Sequence, residues 1–380
     1  MKFKLGSAVF TLAACLAISP AAAEGLKVGI TGTFTGPNAT NGIPYRNAIE
    51  TFPDTIGGMP VEWIVLDDGT DPTTATKNAR KFVDEDKVDV LLGSTSSVTS
   101  AAIVDVANEA QTPMIALAPI RIPDDKRAWV FNLAQPVPIM VSAIIEDMNK
   151  KDLKTIAFIG YADGWGDLNW TALEQVAADN GIEVIGGERF NRTDTSVTAQ
   201  VLKTIAAAPD AVFIGASGTA AALPHVTLRD QGFEGPIYHT HGTVTKKFIE
   251  AAGPAAEGAL MPTGPMVAAN DLPDANPIKA VSLDFISTYE GKWGEGSANP
   301  LGGYAWDAML LVGAAAKVAA ETAEPGTPEF RTAMRDALQS GAEVAGTNAI
   351  YTFTETDHYG VDERARVLVE VKGDGFRLAE

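Results

Sequence analysis

The strongest indication of the fold of this chain is the segment Val88-Asp89-Val90-Leu91-Leu92-Gly93-Ser94-Thr95-Ser96-Ser97. Its apolar residues 88–92 are typical of a strand buried inside a parallel sheet. Gly93 and four hydroxyl residues follow, and residues 98–104 have the spacing of a helix. The backbone N–H groups and hydroxyls at such a junction suit an anion, typically a ligand carboxylate. The alternative interpretation is that one of the serines only caps the helix.

Strands and helices alternate on both sides of this segment. The predicted strands lie at residues 26–31, 61–66, 88–92, 114–118, 155–160, 182–185, 211–215 and 236–239. Helical spacing separates them, which predicts two α/β units in tandem, each built on a doubly wound, mostly parallel sheet. Ligands of such sheets bind beyond the carboxyl ends of the strands. After Leu260 the pattern is mainly helical and ends in three short strands.

Residues 1–23 have the features of an export signal that is removed from the mature protein. Lys2 and Lys4 precede an apolar stretch, and three alanines form a small-residue cleavage site before Glu24. A second interpretation is lipid anchoring at Cys15, but the apolar residues that follow Cys15 fit a lipoprotein poorly. Soluble secretion is therefore favoured. The mature chain then has no cysteine, so its stability depends on a large core rather than on disulfides.

The charge and the motifs of the chain exclude several classes of function. The net charge is −19, which argues against nucleic acids and anionic membrane surfaces as partners. The sequence has no His-Glu-x-x-His helix, no Gly-x-Ser-x-Gly turn and no dinucleotide or phosphate-binding loop. His239 and His241 have the spacing of two metal ligands on a strand, but no third ligand is placed by spacing. We therefore predict a binding protein without catalytic activity, metal or cofactor.

Five motifs follow one another as they do in a known family: Thr35-Gly36-Pro37, Asp67-Asp68-Gly69-Thr70-Asp71-Pro72, Gly93–Ser97, the segment from Phe158 to Gly166, and Ala255-Ala256-Glu257-Gly258. In order and spacing, together with the export signal, they resemble the substrate-binding proteins of branched-chain-amino-acid-type ABC transporters. The resemblance covers essentially the whole mature chain. From the residues themselves, Asp68 or Asp71 is expected to cap the helix that follows the second motif.

The resemblance implies the type I periplasmic binding fold, in which two lobes joined by three crossing strands close over a ligand by hinge motion. We expect lobe 1 to comprise residues 24–133 and 260–348, and lobe 2 to comprise residues 134–259 and 349–380. We predict a monomer in the periplasm that delivers a small carboxylate to the permease subunits of an ABC importer. The alternative role for the same fold is a ligand-sensing module that contacts a receptor.

The resemblance also assigns residues to the ligand site. Lobe 1 is expected to hold a ligand carboxylate on the hydroxyl loop and on the backbone after the next strand. Lobe 2 is expected to close over the rest of the ligand with an aromatic residue and two loops that follow strands. The matching positions are Ser96, Ser97, Ala118 and Pro119 in lobe 1 and Trp165, Ser217 and His241 in lobe 2.

Two departures from the family pattern argue against an α-amino acid as the ligand. Amino-acid-binding members carry an acidic residue near the position of His241 that pairs with the ligand ammonium, and a buried ammonium without a counter-charge is costly. Arg121 stands where those members have a small or hydroxyl residue, and its guanidinium can bind a carboxylate through two hydrogen bonds. The alternatives are a solvated loop charge for Arg121 and a hinge-proximal loop residue for His241.

Aromatic residues near these loops indicate the body of the ligand. Phe34, Tyr161 and Trp165 are placed to stack on an aromatic ring, with core packing as the alternative for Phe34 and Tyr161. We predict a small aromatic acid such as benzoate or hydroxybenzoate, with a histidine that meets a ring hydroxyl. The alternative ligands are branched-chain amino acids and short amides.

Overall fold

The computed structural model of the protein describes Met1 and residues 25–379. The rest of the predicted export signal, with Cys15, lies outside the described residues. The described chain contains two large, mainly parallel sheets with helices on their faces and one two-stranded sheet. Within residues 25–379, no helix combines the length and the apolar character that a membrane span requires.

The N-terminal part of the chain forms a six-stranded sheet. Its elements are β1 (Leu26–Gly32), α1 (Ala39–Ile49), β2 (Thr55–Ile56), β3 (Met59–Asp67), α2 (Pro72–Lys81), β4 (Val90–Leu92), α3 (Ser97–Ala102), α4 (Val104–Glu109), β5 (Met114–Ala116) and β6 (Val130–Asn132). The strands lie in the order β2-β3-β1-β4-β5-β6, and all but β2 run parallel. The segment quoted first contains β4, whose Val90 lies beside Val28 of β1. This confirms the prediction of a buried parallel strand.

The chain then builds a second sheet before it returns to the first. The elements of this part are α5 (Val137–Lys150), β7 (Thr155–Tyr161), α6 (Gly164–Asp179), β8 (Glu183–Phe190), α7 (Thr198–Ala206), β9 (Ala211–Gly215), α8 (Ala222–Asp230), β10 (Ile237–His239), α9 (Lys246–Ala252) and β11 (Leu260–Thr263). Its five strands run parallel to one another.

After β11 the chain covers one face of the first sheet and ends in the second. The elements are α10 (Pro277–Trp293), α11 (Pro300–Ala319), α12 (Pro328–Leu338), β12 (Val344–Ala345), β13 (Ile350–Tyr351), β14 (Val367–Lys372) and β15 (Gly375–Leu378). The order of the second sheet is β15-β14-β11-β10-β9-β7-β8, with β14 and β15 antiparallel to their neighbours. Each large sheet with its helices forms one lobe, as predicted.

Each lobe has its own apolar core. In lobe 1, Val28 and its neighbours pack with the helices that return to this sheet, including Phe330 of α12. Leu91 and Phe82 belong to a separate cluster on the opposite face, beneath α2 to α4. The core of lobe 2 extends from α5 to β14 and includes Phe158. Because both faces of each sheet are covered, central strands such as β4 and β9 are buried along their whole length.

The lobe boundaries differ from the predicted ones in two places. The prediction assigns β11 to lobe 1, but Leu260 of this strand lies beside Tyr238 in the second sheet. It assigns residues 349–365 to lobe 2, whereas Tyr351 and Phe353 are buried in the core of lobe 1. Both errors lie at chain crossings, because a short apolar strand does not indicate which sheet it joins. We propose the division into residues 25–133 with 265–365 and residues 134–264 with 366–379.

The two lobes share one arrangement of parallel strands. The order is β3-β1-β4-β5-β6 in lobe 1 and β8-β7-β9-β10-β11 in lobe 2. The loops after β1 and β4 therefore diverge in lobe 1, as do those after β7 and β9 in lobe 2. Such a reversal of strand order leaves a crevice at the carboxyl ends of the strands. Most of the predicted site residues lie on these loops or on the loops after the neighbouring strands.

The three chain crossings between the lobes are held to one another. Gln135, in the first crossing, donates from Nε2 to the carbonyl oxygens of Asn348 (3.2 Å) and Ala365 (3.0 Å). Gly264, in the second crossing, packs so closely on the loop between β12 and β13 of lobe 1 that a Cβ atom there would lie 2.3 Å from Asn348 Oδ1. Hydrogen bonds of Gln135 and close packing around Asn348 thus hold the crossings together.

Candidate ligand-binding site

A cavity of about 390 Å³ lies between the lobes, at the carboxyl ends of both sets of strands. Seven of the nine predicted site residues line it: Ser96, Ser97, Ala118, Pro119, Trp165, Ser217 and His241. The cavity is also lined by residues that the sequence analysis did not identify, notably Asn38, Asn41, Tyr45, Arg192 and Tyr304.

The four hydroxyl residues after β4 have different partners. Ser94 Oγ donates to Asp68 Oδ2 at 2.6 Å, and Thr95 Oγ1 accepts from the backbone N–H of Thr33 at 2.9 Å. Ser96 caps α3, with its Oγ 2.7 Å from Thr99 Oγ1. The capping interpretation therefore holds for Ser96. Ser97 lines the cavity, and its hydroxyl has no hydrogen bond to any other described residue, so it is the one available to a ligand.

The wall from lobe 2 begins with Trp165 at the start of α6. Asp163 caps this helix, because its Oδ1 accepts from the backbone N–H groups of Trp165 (2.9 Å) and Gly166 (3.2 Å). Residue 166 must be glycine, since a Cβ atom there would lie 1.9 Å from the carbonyl oxygen of Tyr161. The tight turn presents the indole of Trp165 to the cavity. The helix α2 is capped by Asp71, which is one of the two residues predicted for that role.

Three buried polar atoms at the cavity have no hydrogen-bond partner among the described residues: Trp165 Nε1, His241 Nδ1 and Asn41 Oδ1. The rings of Trp165 and His241 meet edge to face, with centroids 5.3 Å apart. Burial lowers the pKa of His241 to about 4, so its imidazole is neutral at pH 7. Buried polar atoms normally have partners. These three atoms therefore point to a ligand with both donors and acceptors.

Arg192 supplies the one charged side chain among the described residues that line the cavity. Its Nε donates to Asp163 Oδ2 at 2.7 Å, and its guanidinium lies 4.0 Å from the ring centroid of Tyr161. Its Nη1 lies 3.3 Å from both Asn38 Oδ1 and Ser217 Oγ. Arg192 follows the end of β8, which is the sequence signal by which it could have been found.

Two tyrosines present ring surface rather than hydroxyl groups to the cavity. The hydroxyl of Tyr45 donates to the carbonyl oxygen of Leu117 at 2.9 Å, and that of Tyr304 donates to Gln135 Oε1. Their rings are 6.3 Å apart and nearly parallel. Because the hydroxyls already have protein partners, this side of the cavity is an apolar surface that suits a flat ligand.

Two of the predicted contact residues, Arg121 and Phe34, do not line the cavity. Arg121 is exposed and lies on a separate groove, since its loop turns outward after Pro119. Phe34 is buried in the core of lobe 1 against Gly32, where a Cβ atom would lie 2.5 Å from its ring. Tyr161 also belongs to a core, where its ring lies beneath Arg192. The core-packing alternative holds for both aromatic residues.

The lobes are closed on each other in this structure. Asn38 of lobe 1 contacts Arg192 of lobe 2, and Asn41 Nδ2 donates to the carbonyl oxygen of Gly242 at 3.1 Å. A Cβ atom on Gly218 of lobe 2 would lie 2.7 Å from Thr40 Oγ1 of lobe 1. The first turn of α1 thus reaches across the cleft and completes the cavity.

Residues 25–375 match the family model described as periplasmic binding protein. The chain belongs to this family. An extracellular ligand-binding receptor from Rhodopseudomonas palustris HaA2 is 45% identical, with a TM-score of 0.92, over 94% of this chain and 100% of that chain. The Leu/Ile/Val-binding protein homolog 3 of Brucella melitensis is 23% identical over 371 residues, which are 94% of each chain.

More distant structures share the fold. The leucine binding protein LivK of Thermotoga maritima has a TM-score of 0.79 at 21% identity, over 93% of this chain and 98% of that chain. Together these findings make the chain a type I periplasmic binding protein of the branched-chain-amino-acid type. Proteins of this type bind small molecules outside the cytoplasm and work with the permeases of ABC transporters.

Proposed function

We propose that this periplasmic binding protein carries a small carboxylate with a flat apolar body to an ABC importer. The ligand that fits best in this proposal is an aromatic acid such as benzoate or 4-hydroxybenzoate. The observation that supports this most directly is the charge of the cavity. Its described lining contains one guanidinium, that of Arg192, and no carboxylate. An anion is favoured in such a site, whereas the ammonium of an amino acid would be buried without a counter-charge.

The carboxylate of the ligand bridges the two lobes in this proposal. Ser97 offers a hydroxyl from lobe 1. Arg192 offers its Nη2 from lobe 2, because its Nε already donates to Asp163 and its Nη1 to Asn38 and Ser217. Hydrogen bonds between a guanidinium and a carboxylate are among the strongest that proteins make. A ligand held by both lobes stabilises the closed conformation relative to the open one.

The apolar body of the ligand lies against the rings of Tyr45, Tyr304 and Trp165. Aromatic rings pack on one another in offset or edge-to-face arrangements, and all three residues are at least nine-tenths buried. The unpartnered Nδ1 of His241 is placed to bond a ring hydroxyl, so 4-hydroxybenzoate satisfies one more buried atom than benzoate does. We further propose that the protein acts as a monomer, since one chain supplies both halves of the cavity.

A second candidate ligand is a branched-chain amino acid. The names of two relatives, the Leu/Ile/Val-binding protein homolog 3 and a leucine-, isoleucine-, valine-, threonine- and alanine-binding protein, favour it. In this case Asn41 Oδ1 is the acceptor for the ammonium, because it has no partner among the described residues.

Isothermal titration of the mature protein with benzoate, 4-hydroxybenzoate, leucine and valine tests the proposal. We expect binding of the two aromatic acids and no heat from the amino acids. His241→Glu places a carboxylate at the cavity and is expected to weaken the binding of the acids and to admit the ammonium of leucine. Tight binding of leucine to the unaltered protein, without binding of the acids, would overturn the assignment and leave the transport role intact.

A further inference from the structure

Asn38 directly precedes α1, but its side chain does not cap that helix. An asparagine at this position normally accepts a hydrogen bond from a backbone N–H of the first turn. Among the described residues, the side chain of Asn38 accepts no such bond. The residue is only 3% exposed, so its polar atoms are withdrawn from solvent as well. Its amide therefore serves partners outside the helix.

Lobe 1 holds the amide of Asn38 by its nitrogen. Nδ2 donates to Thr33 Oγ1 at 3.1 Å and to the carbonyl oxygen of Thr95 at 3.3 Å. The backbone N–H of Asn38 donates to Thr70 Oγ1 at 3.2 Å. These three partners lie on the loops after β1, β4 and β3, so three neighbouring loops fix the residue. A reversed amide would place its oxygen against the carbonyl oxygen of Thr95, and Oδ1 is therefore directed towards lobe 2.

The oxygen of Asn38 meets the guanidinium of Arg192 across the cleft. Arg192 Nη1 donates to Asn38 Oδ1 and to Ser217 Oγ, each at 3.3 Å. The Nε–H of the same guanidinium donates to Asp163. Because a guanidinium has five N–H groups in one plane, these bonds use three of them and leave the two of Nη2 for a ligand.

The supports of this guanidinium differ in the lobe that supplies them. Asp163, Ser217 and the ring of Tyr161 belong to lobe 2 and stay with Arg192 when the lobes separate. Asn38 is the one described residue of lobe 1 that bonds the guanidinium. In the open conformation one N–H of Nη1 is thus free, and a carboxylate can bind at Nη1 or at Nη2. Closure occupies Nη1 and leaves Nη2.

We propose that Asn38 is a positioning residue for carboxylate recognition. On closure its Oδ1 binds Nη1 of Arg192 and thereby restricts the ligand carboxylate to Nη2. Asn38 acts through Arg192 rather than by contact with the acid. This inference rests on the proposed function, because it presumes that the guanidinium binds a carboxylate. It implies that Asn38 matters for an acid and matters little for the neutral amide of the same shape.

Isothermal titration of the mature protein with benzoate and benzamide tests this role. Asn38→Ala is expected to lower the affinity for benzoate about fivefold and that for benzamide less than about twofold, because only the acid depends on the direction of the guanidinium. In the Arg192→Gln background, Asn38→Ala is expected to change the affinity for benzoate by less than about twofold, since the group that it positions is already absent.

Two further variants separate positioning from damage to lobe 1. Asn108 is a matched control, because its Nδ2 also donates to two carbonyl oxygens of lobe 1, those of Val104 and Lys126, and it does not line the cavity. Asn108→Ala is expected to preserve both affinities. Asn38→Asp keeps the size of the side chain and places a carboxylate against Arg192. It is expected to lower the affinity for benzoate at least about tenfold while benzamide still binds.

The outcomes distinguish this inference from the proposed function. Equal losses for benzoate and benzamide in Asn38→Ala overturn the positioning role and leave the proposed function standing, as does a fivefold loss that persists in the Arg192→Gln background. If Asn38→Ala does not fold, an unchanged affinity of Asn38→Asp for benzoate overturns the role. If the unaltered protein does not bind benzoate, both are overturned.

Discussion

Replacement of Arg192 by Gln is the sharpest test of the proposed site. Its guanidinium is the one charge of the described cavity lining, and Gln keeps a polar but shorter side chain without the charge. The contacts of Arg192 with Asp163 and Tyr161 lie within lobe 2 and persist when the lobes open. Only the contact with Asn38 and the contact with the ligand form on closure. The effect of the substitution on affinity therefore reports these two contacts together with the carboxylate of Asp163, which the variant leaves unpaired.

The structure sets the expected magnitude. The side chain of Arg192 is 14% exposed, so solvent screens its interactions little. Hydrogen bonds to charged groups contribute about 1.5–3 kcal/mol, which corresponds to a loss of roughly 10- to 100-fold in affinity for benzoate. Asp163 loses its partner in the variant, and its carboxylate then repels an anionic ligand as well. Arg192→Lys keeps the charge without the forked geometry and is expected to give an intermediate loss.

Isothermal titration with benzoate and its neutral isostere benzamide separates the effect of Arg192 on the ligand carboxylate from its effect on closure of the lobes. We expect the variant to lose benzoate affinity by the factor above and benzamide affinity by less than about threefold, the effect of one exposed or neutral contact. Lys203→Gln, which removes one exposed charge from lobe 2, serves as the control and is expected to bind benzoate normally. Equal losses for benzoate and benzamide would refute the role of the guanidinium as the carboxylate partner.

Three further predictions concern the site and its lobe. Trp165→Phe keeps an aromatic ring but removes the unpartnered Nε1–H and part of the indole surface, so affinity should fall at least about tenfold; unaltered titration curves would remove Trp165 from the site. Gly218 has φ +62° and ψ −158°, a region nearly restricted to glycine, and its α-carbon faces Thr40 across the cleft. Gly218→Ala should therefore oppose closure, and small-angle scattering should show no compaction on addition of ligand; a compaction equal to that of the unaltered protein would contradict this. Burial keeps three histidines of lobe 2 neutral, lowering the pKa of His225 to about 4, that of His241 to about 4 and that of His239 well below 6.5. Below pH 6.5 the unfolded chain protonates these histidines and the folded chain does not, so they destabilise the fold as the pH falls from 6.5 to 4. Burial raises the pKa of Asp307 to about 6, so the folded chain binds a proton there, and this offsets the effect of one histidine. The free energy of unfolding in urea should fall by up to roughly 3 kcal/mol per pH unit in this window, and a constant value between pH 7 and pH 5 would show that the histidines are solvated.

The sequence predicts those parts of the site that follow from topology. Ser97, Trp165 and His241 each come soon after the end of a parallel strand, and the carboxyl ends of such strands meet at one edge of a sheet. Alternation of strands and helices therefore suffices to bring these residues to one cleft. The argument against an amino acid ligand still applies at His241, which stands near the position of an acidic residue in amino-acid-binding members, because its imidazole lines the cavity.

The remaining residues depend on properties that a single sequence does not carry. Arg192 follows an edge strand and reaches the cavity only through the length of its side chain and its pairing with Asp163. Tyr304 lies in a mainly apolar helix, so its pattern indicates a core position, and no residue near Tyr45 in its short helix marks that tyrosine as a ligand contact. The direction in which a loop leaves its strand decided the position of Arg121, and loop direction depends on packing between elements rather than on local residue type.

The division of lobe 1 between two distant parts of the chain has a consequence for the order in which the protein assembles. The parallel strands of lobe 2 are contiguous between residues 155 and 263, so this half completes most of its core from a single stretch. The sheet of lobe 1 is finished at residue 132, but most of the helices that cover one of its faces come from residues 277–338. While the chain emerges, only α1 covers that apolar face until the whole of lobe 2 has passed. A chain that ends before residue 277 should therefore aggregate through lobe 1 rather than yield a folded N-terminal half.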